Sequence, residues 1–401
     1  MGYRAYQYRL YPNKRQTQDL LNLLAVGRHY YNMCLDLWRY VYLTEKRRPT
    51  SQEFEVMRKG YKKTIPAARG VHSHVFQGLA KRAEEAFQGF FRRVKAGEAP
   101  GYPRYKSLDR FHAIEFKQFG NGVAIDGRRV RISGVGRVRV RWHRPMQGTA
   151  KTAEIVHKAG QWFVVFTCEV PDQPELPKTG QVVGLDLGVA ALFTTSDGDK
   201  VDHPKFYQQS QKRLRVLNRA LARKKKGGKN RRKAKQRLQR HHHHIQNQRL
   251  DYAHKLSYAL VQHYDLIALE ELKVKNMVRN KHLSKSILDA GWSIFTKLLT
   301  NKAVEAGRQV LFVNPAYTSK TCSNCGALFE DLTLADRWVE CRCGLSLDRD
   351  HNAARNILKQ ALRLWDAEVR RNVAGSPDAS VPRKPLALPM GSVTAGCHVW
   401  N

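Results

Sequence analysis

The sequence has few acidic residues, few cysteines and no long apolar run. It contains 34 Asp and Glu against 71 Lys and Arg, which gives the 401-residue chain a formal net charge of +37. An excess of this size predicts a polyanionic partner, and nucleic acid is the first choice. There is no run of about 18 apolar residues and no secretory or lipidation signal. We therefore expect no membrane partner and a cytoplasmic location.

Cysteine is concentrated in one short segment. Four of the seven cysteines form two close pairs there: Cys322 with Cys325, and Cys341 with Cys343. Two such pairs, about a dozen or more residues apart, are typical of a zinc ribbon in which four thiolates bind one structural Zn²⁺. The Cys-x-Cys spacing of the second pair departs from the commonest pattern and requires a sharply folded backbone. Buried free thiols are the alternative. Disulfides are a weaker one, because the other three cysteines are scattered and a reducing compartment is expected.

Hydrophobic periodicity predicts a mixed α/β chain. Residues 4–11 alternate as a strand, and residues 13–95 have helical spacing. Short strands with a period of two follow between residues 111 and 170. Since the first strand precedes the helices, we expect the helical block to be inserted into a small barrel. Residues 283–307 are predicted to form one helix, and the sequence beyond residue 367 is polar and without periodicity.

Two basic segments predict contacts with nucleic acid. In the alternating segment Val138–Arg141, Arg139 and Arg141 fall on one face of a strand, which is either an ordinary solvated face or a surface that follows phosphates. Between Gln211 and Arg240 there are fifteen Lys and Arg and no acid. This segment predicts either a solvated face or a pair of helices that grips a nucleic-acid backbone. The residues that we expect to bind there are Arg223, Lys224, Lys225, Arg231 and Arg232.

Three carboxylates stand at comparable places in the chain. Asp186 lies within an apolar strand, Glu270 ends another apolar strand, and Asp350 begins a helix. In isolation, Asp350 would be interpreted as a helix N-cap. A buried carboxylate without a partner is costly, however, so the two strand-borne acids predict a cation nearby. A sheet that brings the three acids together would form an oxygen-lined pocket for two Mg²⁺ ions, which suits phosphodiester hydrolysis.

Around these acids the sequence resembles the three RuvC motifs of TnpB, a family of transposon-encoded RNA-guided nucleases related to type V CRISPR effectors. The matching segments are Gly184–Gly188, Leu269–Lys273 with Asn276–Met277, and Asp348–Ile357. Four further segments resemble the same family: Tyr8–Pro12, Gly101–Lys106, Asp289–Trp292 and Tyr317–Ser319. The resemblance extends over residues 4–364. The joint occurrence of three acidic motifs and paired cysteines makes it specific.

The resemblance implies an α/β multidomain fold. An RNase H-like RuvC nuclease domain with a zinc-ribbon insert would be joined to a β-barrel wedge domain that carries a helical recognition insert. The implied boundaries are residues 1–12 for the first strand of the wedge barrel, 13–100 for the helical recognition insert, 101–178 for the wedge β-barrel, 179–314 for the RuvC domain with motifs I and II, 315–345 for the zinc-ribbon insert that binds target nucleic acid, 346–366 for RuvC motif III, and 367–401 for a flexible tail.

The resemblance also implies RNA-guided cleavage of DNA. The partners would be a guide RNA from the transposon end and double-stranded target DNA, recognised beside a short target-adjacent motif and cut on both strands in one site. Asp186, Glu270 and Asp350 would be the catalytic residues and would bind two Mg²⁺, with Asp348 as the alternative third acid. We expect a monomer in complex with its RNA, in the cytoplasm of a prokaryotic cell and at the nucleoid when bound to DNA.

Three other functions stay open at this point. An RNA-guided repressor that has lost cleavage is expected to lack at least one metal-binding carboxylate, whereas all three are present here. A CRISPR-associated effector of the same fold would differ only in having a repeat array beside its gene. A recombinase that joins transposon ends would need a Tyr or Ser nucleophile motif, and none stands out.

Overall fold

The first strand of the chain lies in the middle of a seven-stranded sheet. The strands are β1 (Gly2–Tyr11), β2 (Ala113–Phe116), β3 (Val123–Asp126), β4 (Arg129–Ile132), β5 (Gly136–Arg141), β6 (Thr149–Lys158) and β7 (Gln161–Val170). Their order is β2-β6-β7-β1-β5-β4-β3, and every neighbouring pair is antiparallel. The sheet is nearly closed. This arrangement agrees with the predicted insertion of a helical block after the first strand.

Three helices follow β1 and share its hydrophobic core. They are α1 (Lys14–Glu45), α2 (Ser51–Thr64) and α3 (Ser73–Lys95). Helix α1 begins at a capping box: Asn13 Oδ1 accepts the backbone N–H of Gln16 at 2.8 Å, and Gln16 Oε1 accepts the backbone N–H of Asn13 at 3.1 Å. Inside the core, Trp38 of α1 stacks on Phe87 of α3 with ring centroids 4.7 Å apart. The aromatic residues of α1 therefore serve mainly to pack the helices.

Contacts within the chain define two units. The first comprises Met1–Leu176 and Lys205–Lys255, and the second comprises Pro177–Pro204 and Leu256–Asn401. The computed structural model describes residues 2–172, 174–333 and 336–374. Within these residues, no helix combines the length and the apolar composition needed to span a membrane.

The basic segment forms two helices, α4 (Phe206–Ala222) and α5 (Lys229–His263). On α5, Lys235 Nζ lies 2.8 Å from Asp109 Oδ2, and the ring of His243 lies 6.2 Å from the ring of Phe163. These contacts attach α5 to β7 and to the loop before β2. They explain why residues 205–255 group with the first unit, although the sequence places them within the 179–314 segment.

The second unit is built on a five-stranded sheet. Its strands are β8 (Val182–Leu187), β9 (Ala191–Thr195), β10 (Lys200–Asp202), β11 (Leu266–Glu270) and β12 (Gln309–Val313). The order is β10-β9-β8-β11-β12, with β8, β11 and β12 parallel to one another and β9 and β10 antiparallel. Three helices follow β11: α6 (Val274–Met277), α7 (Ser284–Ala290) and α8 (Trp292–Glu305). A small hairpin of β13 (Trp338–Glu340) and β14 (Ser346–Asp348) leads into α9 (Arg349–Ala374), which packs on β8, β9, β11 and β12.

The structure corrects two sequence predictions. Residues 283–307 do not form one helix, because Gly291 adopts a left-handed conformation with φ of +69° and separates α7 from α8. Only glycine adopts this conformation without steric cost, so it can end one helix and begin the next. The second correction concerns the predicted tail of residues 367–401. Helix α9 continues to Ala374, and residues 375–401 lie outside the described residues.

Candidate active site

Asp186 and Glu270 lie side by side on neighbouring parallel strands. The register pairs Leu185 of β8 with Leu269 of β11, so the next residue on each strand, Asp186 and Glu270, stands at the same level. Neighbouring strands are about 4.8 Å apart, and residues at the same level point to the same face. The two carboxylates therefore share one side of the sheet near the carboxyl ends of its central strands.

The acids influence one another electrostatically. Burial, followed by the charges of Glu270 and Asp350, raises the pKa of Asp186 well above its usual range. Glu270 is 9% exposed, and burial raises its pKa as well, although a hydrogen bond from the Thr318 hydroxyl opposes the shift. The structure thus brings all three predicted acids near enough to interact electrostatically. Carboxylates in this situation gain most from a multivalent cation.

Helix α9 reaches the sheet through a close backbone contact at Gly184. A Cβ atom at this position would lie 2.2 Å from the carbonyl oxygen of Ala354 and 2.8 Å from the backbone nitrogen of Leu358. Gly184 is two residues before Asp186 and faces the same side of β8, and Asp350 is about one helical turn before Ala354. The absence of a side chain at Gly184 therefore allows α9 to carry Asp350 close to Asp186.

Asp348 is engaged differently from Asp350. Its Oδ1 accepts the backbone N–H groups of Asp350 at 3.1 Å and of His351 at 3.2 Å, so it caps the start of α9. Its Oδ2 lies 2.7 Å from Lys200 Nζ on β10. Burial acts to raise the pKa of Asp348, but these hydrogen bonds outweigh it and lower the pKa. Both oxygens of Asp348 are therefore already bonded, one to the start of α9 and the other to Lys200. This favours Asp350 as the third metal-binding acid.

The three acids are spaced more widely than the four thiols. Among the described residues, only the thiol cluster brings three or more possible ligand atoms within 4.8 Å of one another. The ligand atoms of the three acids therefore do not all lie within that distance of one another. Carboxylate oxygen is the ligand type that Mg²⁺ prefers.

The four paired cysteines converge in space. The sulfur atoms of Cys322 and Cys343 are 3.6 Å apart, and those of Cys325 and Cys341 are 3.5 Å apart. Four sulfurs placed tetrahedrally about 2.3 Å from one Zn²⁺ would be roughly 3.8 Å from one another. The number, type and spacing of these donors therefore fit one tetrahedral Zn²⁺.

Glycine turns fold both cysteine pairs. The carbonyl of Cys322 accepts the N–H of Gly326 at 3.0 Å, and the carbonyl of Cys341 accepts the N–H of Gly344 at 2.9 Å. Both glycines have left-handed φ values, +82° and +87°, which other residues adopt only with strain. The sharply folded backbone that the Cys-x-Cys spacing requires is thus present.

The surroundings of the second pair favour a thiolate. The backbone N–H of Leu345, followed by the side-chain amide of Asn324, lowers the pKa of Cys343 to about 6. At Cys341, the backbone N–H of Cys343 acts to lower the pKa, but desolvation and the neighbouring sulfurs raise it to about 12. The cluster therefore presents an anionic sulfur at neutral pH, and a metal ion would have to displace the proton of Cys341.

The predicted residues Arg139 and Arg141 lie on an exposed basic face of the first unit. Cross-strand neighbours on this face are arginine on both strands: Arg139 with Arg129, Arg137 with Arg131, and Arg141 with Arg9. An ion pair links Arg137 Nε to Asp126 Oδ2 at 2.5 Å. Like charges directly opposite each other destabilise a sheet. A polyanion on this face would relieve that repulsion.

The other five predicted basic residues surround the turn between α4 and α5. Arg223, Lys224 and Lys225 are exposed in the turn, and Arg232 is exposed in the first turn of α5. Arg231 has a structural task, since its guanidinium donates to the carbonyls of Leu221 at 2.9 Å and of Lys224 at 3.0 Å. It holds the end of α4 against the start of α5, so it has less capacity left for an external phosphate than its neighbours.

Sequence reasoning missed three residues of the site. Gly184 lies in a quoted motif, but nothing in a single sequence indicates that a helix backbone will contact it. Thr318 also lies in a quoted segment, and its hydroxyl contacts Glu270, which is 48 residues earlier in the chain. Lys200 gave no sequence signal, because one lysine among many basic residues is unremarkable.

Three family models match the chain. The model described as "Probable transposase" (OrfB_IS605) matches residues 165–281, and the model described as "Cas12f1-like, TNB domain" matches residues 292–357. A model described as a helix-turn-helix domain matches residues 1–47. In the structure, that segment consists of strand β1 and the single unbroken helix α1.

The relatives cover most of the chain. A protein of Streptomyces pristinaespiralis named "Putative RNA-guided DNA endonuclease" is 33% identical over 365 residues, which is 90% of this chain and 89% of that protein. The "Putative RNA-guided DNA endonuclease InsQ" of Escherichia coli (strain K12) is 35% identical over 304 residues, which is 71% of this chain and 74% of that protein.

A solved structure shares the fold at low sequence identity. The mini-RNA-guided endonuclease CRISPR-Cas phi3 aligns with a TM-score of 0.50 and 11% identity, over 90% of this chain and 92% of that one. At this identity the likeness concerns the fold alone. The match to the Streptomyces protein, one-third identical over nearly the full length of both chains, establishes the family. The chain belongs to the TnpB family, which the OrfB_IS605 model describes.

Proposed function

We propose that this chain is an RNA-guided DNA endonuclease. The strongest support is the cluster of three acids. Asp186 stands level with Glu270 on the neighbouring strand, and burial, together with the charges of Glu270 and Asp350, raises the pKa of Asp186. A cluster of this kind is suited to divalent metals and phosphodiester hydrolysis. The names of the Streptomyces and Escherichia coli relatives support the same activity.

In this proposal Asp186, Glu270 and Asp350 are the catalytic residues and hold two Mg²⁺ ions. When bound, the ions would supply the Lewis acidity that activates water and stabilises the leaving oxygen. The carboxylates orient the ions, and they must be deprotonated to do so. Asp348 and Lys200 hold the first turn of α9 and so fix the position of Asp350.

The four cysteines would hold one structural Zn²⁺. Their closed set of four sulfur donors leaves no open coordination position, which is typical of structural rather than catalytic zinc. We assign residues 315–345 to a zinc-ribbon insert that binds target nucleic acid. Residues 179–314 and 346–366 are assigned to an RNase H-like RuvC domain, and the order of the five-stranded sheet supports this assignment.

The first unit would bind nucleic acid. We assign residues 1–12 and 101–178 to a wedge domain and residues 13–100 to a helical recognition insert, which together would recognise the target-adjacent motif. Base pairing between guide RNA and target DNA would read the sequence, so the protein needs mainly phosphate contacts. The arginine face of β4 and β5 and the turn between α4 and α5 are suited to that task.

The experiment starts from the protein expressed together with its own genomic flank. The RNA that copurifies is sequenced, and the complex is incubated with a plasmid library that carries a randomised segment beside a target matching that RNA, with Mg²⁺ or with EDTA. We expect one discrete RNA from the transposon end and Mg²⁺-dependent loss of plasmids that carry one short motif, cut on both strands.

Two other results would overturn parts of the proposal. A discrete RNA and target binding without cleavage would indicate a guided repressor. If no discrete RNA copurifies, the protein does not use a guide RNA, and it would be a metal-binding protein with another nucleic-acid substrate. The variant Asp186→Ala separates the steps, because it should abolish cleavage and leave target binding intact.

A further inference from the structure

The backbone that forms the first zinc-binding turn is held by one face of helix α9. Asn352 donates to the carbonyl of Thr321 at 2.8 Å through Nδ2 and accepts the N–H of Ser323 at 2.8 Å through Oδ1. One turn later, Asn356 Nδ2 donates to the carbonyls of Thr318 at 2.8 Å and Thr321 at 2.6 Å. Both amides are buried, so these bonds are sheltered from competing water.

A further hydrogen bond from α9 reaches the residue next to Cys322. Lys359 Nζ donates to the carbonyl of Ser323, the residue that follows Cys322. Asn352, Asn356 and Lys359 are spaced four and three residues apart, so they lie on one helical face. Helix α9, which carries Asp350 in its first turn, is therefore hydrogen-bonded to the turn that contains Cys322.

Thr318 connects the same turn to the other side of the acidic cluster. Its side-chain hydroxyl donates to Glu270 Oε1, and both residues are buried, Thr318 at 3% exposure. The hydroxyl also lies 3.1 Å from the carbonyl of Pro315. A hydroxyl has a single proton, and a carboxylate is the stronger acceptor. The bond to Glu270 is therefore favoured whenever Glu270 is ionised.

We propose that Thr318 is a positioning residue that fixes the orientation of the Glu270 carboxylate, and that the zinc-bound fold of the adjacent turn holds Thr318 in place for this purpose. The inference rests on the proposed function, since it assigns Glu270 to the metal centre. A carboxylate whose one oxygen is tied to a buried hydroxyl presents its other oxygen in a defined direction. Removing such a second contact typically weakens metal binding about 10- to 100-fold.

The protein offers a matched set of variants. Thr318→Val keeps the shape and removes the hydroxyl, whereas Thr318→Ser keeps the hydroxyl. Thr300→Val is the control, because the Thr300 hydroxyl donates at 2.9 Å to the carbonyl of Thr296 within its own helix. Asp186→Asn is the reference variant for weakened metal binding, because it removes a carboxylate that we assign to the metal centre.

The first measurement is Mn²⁺ binding to the full chain, purified free of RNA, followed by electron paramagnetic resonance of the unbound ion. We expect Thr318→Val to bind Mn²⁺ at least about tenfold more weakly than the wild type, with its zinc content unchanged. Thr318→Ser should stay within about twofold of the wild type, and Thr300→Val should match it. Equal Mn²⁺ affinities of the wild type and Thr318→Val would overturn the inference.

The same titration separates this inference from the proposed function. If the wild type and Asp186→Asn bind Mn²⁺ equally, the assignment of the acids to a metal centre fails, and the inference fails with it. If Asp186→Asn binds more weakly but Thr318→Val does not, only the inference fails.

A second measurement applies if Thr318→Val loses zinc or does not fold. Zinc is removed from the wild type with a thiol-compatible chelator, and the Mn²⁺ titration is repeated before and after one equivalent of Zn²⁺ is restored. We expect the Mn²⁺ affinity to fall about tenfold without zinc and to return with it. Unchanged Mn²⁺ affinity in the zinc-free protein would refute the link between the two sites.

Discussion

Gly184 of strand β8 packs directly against the backbone of Ala354 in helix α9. A Cβ atom there would come within 2.2 Å of the Ala354 carbonyl oxygen, so the smallest possible side chain would push the helix away from the sheet. Because Asp350 is the second residue of α9, this contact determines how closely Asp350 approaches Asp186. The packing at this glycine therefore also affects the geometry of the proposed metal site.

The substitution Gly184→Ala tests that contact. Overpacking of this kind costs about 1–3 kcal/mol in unfolding free energy, and we expect cleavage to fall together with the stability because Asp350 is displaced. Gly60→Ala is the matched control. Gly60 lies within helix α2 with no atom within 4 Å of the added Cβ, so this change should raise stability by about 0.5–1 kcal/mol. Wild-type stability and cleavage in Gly184→Ala, measured by urea unfolding and plasmid cutting, would contradict this role.

The raised pKa of Asp186 predicts an effect on stability in the absence of Mg²⁺. A carboxyl whose pKa is higher in the folded than in the unfolded protein stabilises the fold at low pH, and that stabilisation is lost as the pH rises through the folded-state value. At neutral pH the raised pKa of Asp186 therefore destabilises the metal-free protein, because burial and the charges of Glu270 and Asp350 oppose an ionisation that is unopposed in the unfolded chain.

We expect Asp186→Asn to raise the thermal midpoint in Mg²⁺-free buffer at pH 7.5 by a few degrees, given about 2–4 °C per kcal/mol for a unit of this size. The gain should shrink as the pH is lowered toward the ordinary aspartate pKa of about 4, since the carboxyl is then protonated in the unfolded as well as the folded protein. Mg²⁺ should stabilise the wild type and not the variant. A lower midpoint of Asp186→Asn at pH 7.5 would show that the carboxylate stabilises the metal-free fold, contrary to the cause given for its pKa.

Some parts of the fold were predictable because they depend on local sequence. Alternation of Val and Arg fixed the two faces of β5, so that Val138 and Val140 are buried while Arg139 and Arg141 are exposed. The glycine break at Gly291 was missed, because the apolar spacing continues across it and periodicity alone does not register a change of backbone conformation.

The site was predictable as a set of residues but not as a geometry. Each acid sits in a recognisable segment, yet the choice between Asp348 and Asp350 depends on hydrogen bonds to the helix start and to Lys200. The contact between Thr318 and Glu270 joins positions 48 residues apart, and a single sequence does not indicate such pairs. Residues that act through tertiary contacts were therefore missed, whereas the residues proposed to bind metal directly could be predicted from their own segments.

Zinc affinity should depend on pH through Cys343. Its pKa of about 6, set by the N–H of Leu345 and the amide of Asn324, means that this sulfur is a thiolate at pH 7.5 and protonated at pH 5. Protons compete with the metal at Cys341 throughout the neutral range and at Cys343 as well below its pKa. We therefore expect affinity to fall with decreasing pH throughout this range and to fall more steeply from an onset near pH 6, measured by competition with a chromophoric chelator. Asn324→Ala, which removes one donor to the thiolate, should move the onset to higher pH. An identical onset in this variant would contradict the cause assigned to the shift.

The arginine face should bind nucleic acid through phosphates. We expect Arg139→Ala and Arg141→Ala each to weaken RNA binding and to reduce the slope of log affinity against log salt by about 1, since each removes one phosphate contact. Arg141→Ala should not lower the stability of the RNA-free protein, because it removes repulsion from Arg9. Arg139→Ala should change the stability little, because it removes both repulsion from Arg129 and a contact with the Tyr11 ring. Arg48→Ala, at an exposed position between α1 and α2, is the control. An unchanged salt slope in both face variants would show that this face does not bind RNA.

The most direct measurement is to reprogram the complex. The guide segment of the copurified RNA is replaced by an unrelated sequence, and the complex is offered two plasmids with the same target-adjacent motif, one matching the old guide and one matching the new. We expect Mg²⁺-dependent double-strand cleavage to move entirely to the new target and to disappear in Asp186→Ala and Glu270→Gln. Continued cutting of the old target, or cutting that survives both substitutions, would contradict guided cleavage at these acids.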